Sequence, residues 1–100
     1  MRSLLIYLAL ATFANADDAV SFDPVALERM VRQDCGACHG LTLKGGLGPD
    51  IRSGALEGWT AEDLQAIILD GRPGTPMPPW RPLITEAEAA WIAQYLLEHE

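Results

Sequence analysis

Apolar residues return at intervals of three and four in three separate stretches of this chain, and no stretch alternates long enough to make a convincing strand. In the first, Leu27, Met30 and Val31 fall on one face. Asp23 is placed to cap that helix and Pro24 sits where its missing N–H costs nothing, so a helix is predicted from Asp23-Pro24 through VALERMVRQD towards Cys35. The second, AEDLQAIILD, follows Thr60, has Asp63 in the capping-box region, carries Leu64, Ile67 and Ile68 on its apolar face, and stops at Gly71. The third opens at Thr85 with Glu88 three residues on, and runs through AEAAWIAQYLLEH with Trp91, Ile92, Tyr95 and Leu96 as its buried stripe.

Two segments between these helices have no period. GLTLKGGLGPDIRSGALEGW, residues 40–59, is glycine-rich and irregular. GRPGTPMPPWRP, residues 71–82, holds five prolines and is therefore an extended loop. Irregular loops this long are unusual in a small domain, and they make sense if they wrap something that is not protein. The expectation is an all-α domain of three main helices with two long loops and few core residues to hold them.

The start of the chain is of another kind. MRSLLIYLALATFANA pairs a basic Arg2 with an apolar run from Leu4 to Phe13 and ends in Ala14-Asn15-Ala16, the small-x-small pattern cut by signal peptidase. The run falls short of the roughly 20 apolar residues that span a bilayer. A signal peptide over 1–16, cleaved after Ala16, is therefore expected, leaving one exported domain over 17–100 in the periplasm and no membrane segment in the mature form. With Arg2 removed, six basic residues face fourteen acidic ones, a net charge of −8. That balance disfavours nucleic acid and anionic membranes, and suits solubility and encounter with a basic patch on a protein partner.

A domain of this size often needs a staple beyond its core. The two cysteines, Cys35 and Cys38 in CGACHG, are the only ones in the chain. A disulfide across two residues closes a tiny loop and constrains the unfolded chain little. A thioredoxin-like dithiol belongs beside a strand–helix unit, which is missing here. A zinc site needs four ligands, and the only histidine outside the motif is His99 at the end of the last helix. Cys-x-x-Cys-His is the attachment pattern of c-type haem, one per chain: the two thiols form thioethers with the porphyrin and His39 becomes the proximal iron ligand. The other ring nitrogen of His39 then needs an acceptor. The Pro49 carbonyl in GLGPDI is a candidate, although spacing alone does not separate it from an ordinary turn proline.

For the distal side the mature chain offers Met30, Met77 and His99. Met30 belongs to a helical stripe and reads as core, and His99 reads as a solvated terminal residue. Met77 lies in TPMPPW, stiffened by prolines and outside any stripe, and is the expected distal ligand. Trp59, Arg52, Arg72, Trp80 and Arg81 lie in the loops that should line the pocket. Trp59 and Trp80 are possible pocket residues. The arginines are possible partners for the haem propionates, with a solvated charge as the plainer reading of each.

CGACH, GLGPDI, GTPMPPW and WIAQYLLE, in this order and spacing, resemble the class I cytochromes c over nearly all of residues 17–100. More narrowly, CGACHGLTLKGGLGP and GRPGTPMPPWRPLITEAEAAWIAQYL resemble the short monohaem cytochromes c encoded beside cytochrome cd-type nitrite reductase in denitrifying bacteria. Within that resemblance Cys35 and Cys38 match the thioether cysteines, His39 the proximal ligand, Pro49 the proline that orients it, and Met77 the distal ligand. Trp91 and Tyr95 match the aromatic positions where the last helix crosses the first. The chain departs from the mitochondrial pattern in having a single lysine, Lys44, so no lysine ring surrounds a haem edge.

A His/Met iron has no open position for substrate, and no paired carboxylates, nucleophile–base set or phosphate loop appears elsewhere. The expected function is electron transfer rather than enzymatic catalysis. The resemblance implies denitrification: passing electrons to the nitrite reductase, or a redox step in making or delivering that enzyme's special haem through its maturation proteins. Two readings of other classes stay open. A weakly held Met77 would leave a five-coordinate haem that binds a gas or acts as a peroxidase-like enzyme, and a haem that is only a staple would leave a pure interaction protein. A monomer is the default state, with the proline-rich hinge also permitting a domain-swapped dimer.

Overall fold

The computed structural model describes residues 22–100; the expected signal peptide and the segment through Ser21 lie outside the described residues. The first helical rod begins as α1 (Pro24–Met30), where the Asp23 side chain accepts from the Val25 N–H at 3.0 Å and Pro24 occupies the first turn. It continues through a π-helical turn at Val31–Cys35 and ends as α2 (Gly36–His39). The junction residues Val31, Cys35 and Gly36 keep right-handed helical dihedrals, so the rod is unbroken and reaches His39, beyond the boundary predicted near Cys35. The π turn widens the rod by one residue per turn just before the cysteines, a position where such insertions commonly serve a site.

Helices α3 (Ala61–Asp70) and α4 (Glu86–Glu98) both start with complete capping boxes. Thr60 Oγ1 accepts from Asp63 N while Asp63 Oδ2 accepts from Thr60 N, and Thr85 with Glu88 repeats the arrangement. The two helices make the most extensive contact in the molecule, with Leu64, Ile68 and Leu69 buried on one and Ala89, Ile92, Ala93, Tyr95 and Leu96 on the other. Val31 and Ile92 are the largest side chains wholly removed from solvent.

The loops also feed the core. Leu56, in a short 3-10 turn at Ser53–Leu56, and Leu43 are both buried. Leu43 does so with φ of 63°, a strained conformation for a leucine, stabilised by burial and by the Ile51 N–H donating to its carbonyl at 3.0 Å. Across the rods, Tyr95 fixes α4 to α1: its hydroxyl donates to Glu28 Oε2 and accepts from Arg32 Nη2, each at 2.8 Å. Burial and the Glu28 carboxylate push its phenol up from the ordinary value. Trp91 is half-buried and stacks with the Tyr95 ring at 5.1 Å between centroids, and His99 stacks with the same ring at 3.9 Å. Met30 is half-buried against the core, as its place in the helical stripe predicted. Among the described residues there is no strand, and no helix is long and apolar enough to cross a membrane.

Candidate haem site

The rod, the glycine loop and the proline loop enclose a cavity of about 610 Å³. Cys35, Cys38 and His39 form one part of its wall, Met77 and Trp80 another, and Trp59 and Arg72 stand at its border. Its apolar floor is made of Leu56, Leu64, Ile68, Ile92 and Leu96, residues that also belong to the core. Ile67, expected on the apolar face of its helix, is only half-buried because it faces this space and not protein.

The proximal side is built by the chain folding back on the end of α2. Gly45 N donates to His39 O and Gly48 N to Cys38 O, each at 2.7 Å, which satisfies carbonyls the helix leaves open. This lays Gly48 flat against the imidazole: a Cβ there would stand 2.8 Å from His39 Cε1. The next residue then presents its carbonyl, and His39 Nδ1 lies 2.7 Å from Pro49 O. A carbonyl oxygen only accepts, so Nδ1 carries a proton, and in the neutral ring Nε2 is the nitrogen that holds the lone pair. Asp50 stiffens the same turn, accepting from Arg52 N at 2.9 Å and forming a two-pronged pair with its guanidinium. Those hydrogen bonds hold the Asp50 carboxyl down at about 2. Both cysteines are free, and burial, reinforced by the neighbouring Asp34 charge, pushes the Cys35 thiol up to about 11, so it is a neutral thiol at neutral pH.

On the other side, the loop carrying Met77 is stitched to itself and to α3. Met77 O accepts from Arg72 N at 3.2 Å, and Met77 N donates to Thr75 Oγ1 at 3.3 Å. Trp80 N and Arg81 N donate to Ile68 O and Leu69 O, each at 3.0 Å. The returning strand of the loop crosses directly over Gly71, where a Cβ would be 2.8 Å from Met77 O. Of the three loop arginines, Arg72 borders the cavity and lies 5.7 Å over the Trp59 ring. Arg52 and Arg81 are not among the lining residues and are committed to carboxylates. His99 is exposed, its ring bonded to Tyr95 O at 2.8 Å on the far end of α4, and takes no part in the cavity wall. Leu56, Ile92 and Leu96 also line the cavity, a role the sequence pattern does not mark, because periodicity signals burial without saying against what.

The residues present fit a c-type haem. The cavity is of cofactor size, within the roughly 300–1,000 Å³ usual for such sites. Its walls bring together two free thiols, an imidazole nitrogen with a free lone pair and a thioether, over an apolar floor.

Known proteins agree with that class. The family model described as cytochrome c oxidase, cbb3-type, subunit III matches residues 23–96. A protein named cytochrome c55X from Paracoccus denitrificans (strain Pd 1222) is 55% identical over 97% of this chain and 92% of its own length. The solved structure of a c-type cytochrome NirC superposes with a TM-score of 0.72 at 44% identity, covering 85% of this chain and 94% of that one. A second solved structure, dihydro-heme d1 dehydrogenase NirN in complex with DHE, superposes at 0.68 and 33% identity over 73% of this chain, which spans only 16% of that much longer protein. The chain therefore belongs to the c-type cytochromes, a family of covalent haem-binding electron carriers, and has the class I cytochrome c fold.

Proposed function

We propose that the mature protein, residues 17–100, is a periplasmic one-haem electron carrier of the nitrite reductase system, with thioethers at Cys35 and Cys38 and with His39 and Met77 as the axial ligands. The observation that carries this reading is the 2.7 Å bond from His39 Nδ1 to Pro49 O, which keeps Nε2 free on the wall of a cavity shared with both cysteines and Met77. When bound, haem supplies a centre that takes up and releases one electron. The chain's part is to hold two ligands so that neither leaves during that change, and to exclude water with the Leu64, Ile68, Ile92 and Leu96 floor. The stitching of Met77 into its loop favours a closed sixth position over a gas-binding or peroxidase-like haem. Export follows from the leader, and mass spectrometry of the periplasmic protein should find a chain starting at Asp17 with the mass of one haem.

The likeness to cytochrome c55X and to NirC supports a place in denitrification. The likeness to part of dihydro-heme d1 dehydrogenase favours a second reading, a redox step while the reductase's haem is completed. Stopped-flow mixing separates the two. Reduced protein re-oxidised by cytochrome cd-type nitrite reductase with nitrite indicates the donor role. Oxidised protein reduced by the dehydrogenase only when its substrate is present indicates the maturation role. Electron exchange with neither system would overturn the proposal. We take the monomer as the working state; a mass twice that of one chain in light scattering would favour the swapped dimer.

A further inference from the structure

The loop that carries Met77 is held by a handful of bonds of its own and by two backbone bonds from Trp80 and Arg81 to α3. Five of its twelve residues, 71–82, are prolines and donate no backbone hydrogen bond. Closure is completed at its neck, where the side chain of Arg81 bridges both helices. Nε and Nη2 donate to Asp70 Oδ1 and Oδ2 at 2.9 and 3.1 Å, and Nη1 donates to Glu86 Oε2 at 3.2 Å. Asp70 is the last residue of α3 and Glu86 the first of α4. One guanidinium thus ties the end of one helix, the return of the loop and the start of the next helix. Asp70 is otherwise poorly placed, since an acid at a helix C-terminus opposes the dipole and the last turn of α3 has no basic residue. Arg81 supplies the missing cation from across the neck. Its hydrogen bonds hold the Asp70 carboxyl below the usual carboxylate range.

We infer that Arg81, through its fork on Asp70 and its third bond to Glu86, is a positioning residue for Met77 that sets how often this ligand leaves the iron. The inference rests on the reading of Met77 as distal ligand. Arg81 is not part of the cavity wall. It acts at the neck by keeping Asp70, at the end of α3, and Arg81, where the loop returns, together, so that opening the loop breaks this fork along with the backbone bonds from Trp80 and Arg81 to α3. Lysine has the charge but not the planar fork, and cannot serve both carboxylates in this geometry.

The test uses the oxidised haem-loaded protein and measures the rate of imidazole binding at the iron. In the wild type the rate should rise with imidazole and then reach a plateau, the plateau being the rate of Met77 departure. Arg81→Gln should raise the plateau about fivefold, the scale of an exposed bidentate ion pair, with Asp70→Asn close to it and the double variant no faster than either. Arg81→Lys should fall between. Thr60→Ala, which removes the cap at the far end of α3, lowers overall stability without touching the neck and should leave the plateau within twofold of wild type. A plateau unchanged in Arg81→Gln and Asp70→Asn overturns the inference, as does an equal rise in Thr60→Ala, which would reduce Arg81 to general stability. The reading beneath it fails in a different way: a wild type with no plateau, binding as fast as Met77→Ala, would mean that Met77 is not on the iron at all.

Discussion

Replacing Gly48 by alanine adds one methyl group at the point where the glycine loop meets the proximal histidine. The new Cβ would stand 2.8 Å from His39 Cε1 and 2.9 Å from Nδ1. Comfortable carbon–carbon contact needs about 3.5 Å, so something must yield by roughly 0.7 Å. The loop cannot simply lift, because Gly48 N is bonded to Cys38 O at 2.7 Å and Gly48 O accepts from Gly46 N at 2.8 Å. If the ring turns, the bond from Nδ1 to Pro49 O goes. Either route loses a hydrogen bond worth about 1 kcal/mol and adds packing strain, for a total of about 1–3 kcal/mol. In a domain of this length that corresponds to a fall in Tm of about 5–15 °C. The assay is thermal unfolding of the haem-loaded variant together with its reduction potential. The potential should rise, because an imidazole that no longer donates from Nδ1 is a weaker electron donor to the iron. Gly54→Ala is the control, since a Cβ there meets nothing within 4 Å, and it should match the wild type. A Gly48→Ala protein with the Tm and potential of the wild type would refute the idea that this loop sets the ring.

Other consequences are as direct. Tyr95→Phe removes the hydroxyl shared by Glu28 and Arg32 and should cost about 1–2 kcal/mol in urea unfolding while leaving the visible spectrum unchanged; an effect on the spectrum would contradict the separation of this crossing from the site. Asp50 has a folded-state value of about 2, depressed from 3.8, so its contribution to stability is present above the unfolded value and is lost as the pH falls through about 2. Acid titration of Asp50→Asn should therefore lack part of the stability that the wild type loses between about pH 4 and pH 2, and superimposable curves would count against that coupling. If Cys35 and Cys38 carry the thioethers, changing both to serine should leave the cavity of about 610 Å³ without a covalently held haem, and circular dichroism should show a chain that fails to fold cooperatively.

Much of this was legible in the order of residues, and the reasons for the rest are physical. Both capping boxes, Thr60 with Asp63 and Thr85 with Glu88, are local patterns and occur as the spacing predicts. The extension of the first rod to His39 was not legible, since a π turn at Val31–Cys35 shifts the helical register without leaving any mark in the i, i+3, i+4 pattern. Pro49 illustrates a different limit. The acceptor is a backbone carbonyl, which every residue has, so only the fold selects the one that meets Nδ1. Long-range pairs were hidden for the same reason: Glu28 and Arg32 lie 67 and 63 residues from Tyr95. Arg81 read as a solvated charge, and only the return of the proline loop brings it between Asp70 and Glu86.

The proposed function requires an iron whose two axial positions are both filled by the chain. The most direct test is the visible spectrum of the dithionite-reduced wild-type protein before and after addition of carbon monoxide. The expected result is a spectrum that does not change, as required if His39 and Met77 both stay bound. A prompt shift to the spectrum of a carbon monoxide complex would contradict it, showing a sixth position that Met77 does not hold.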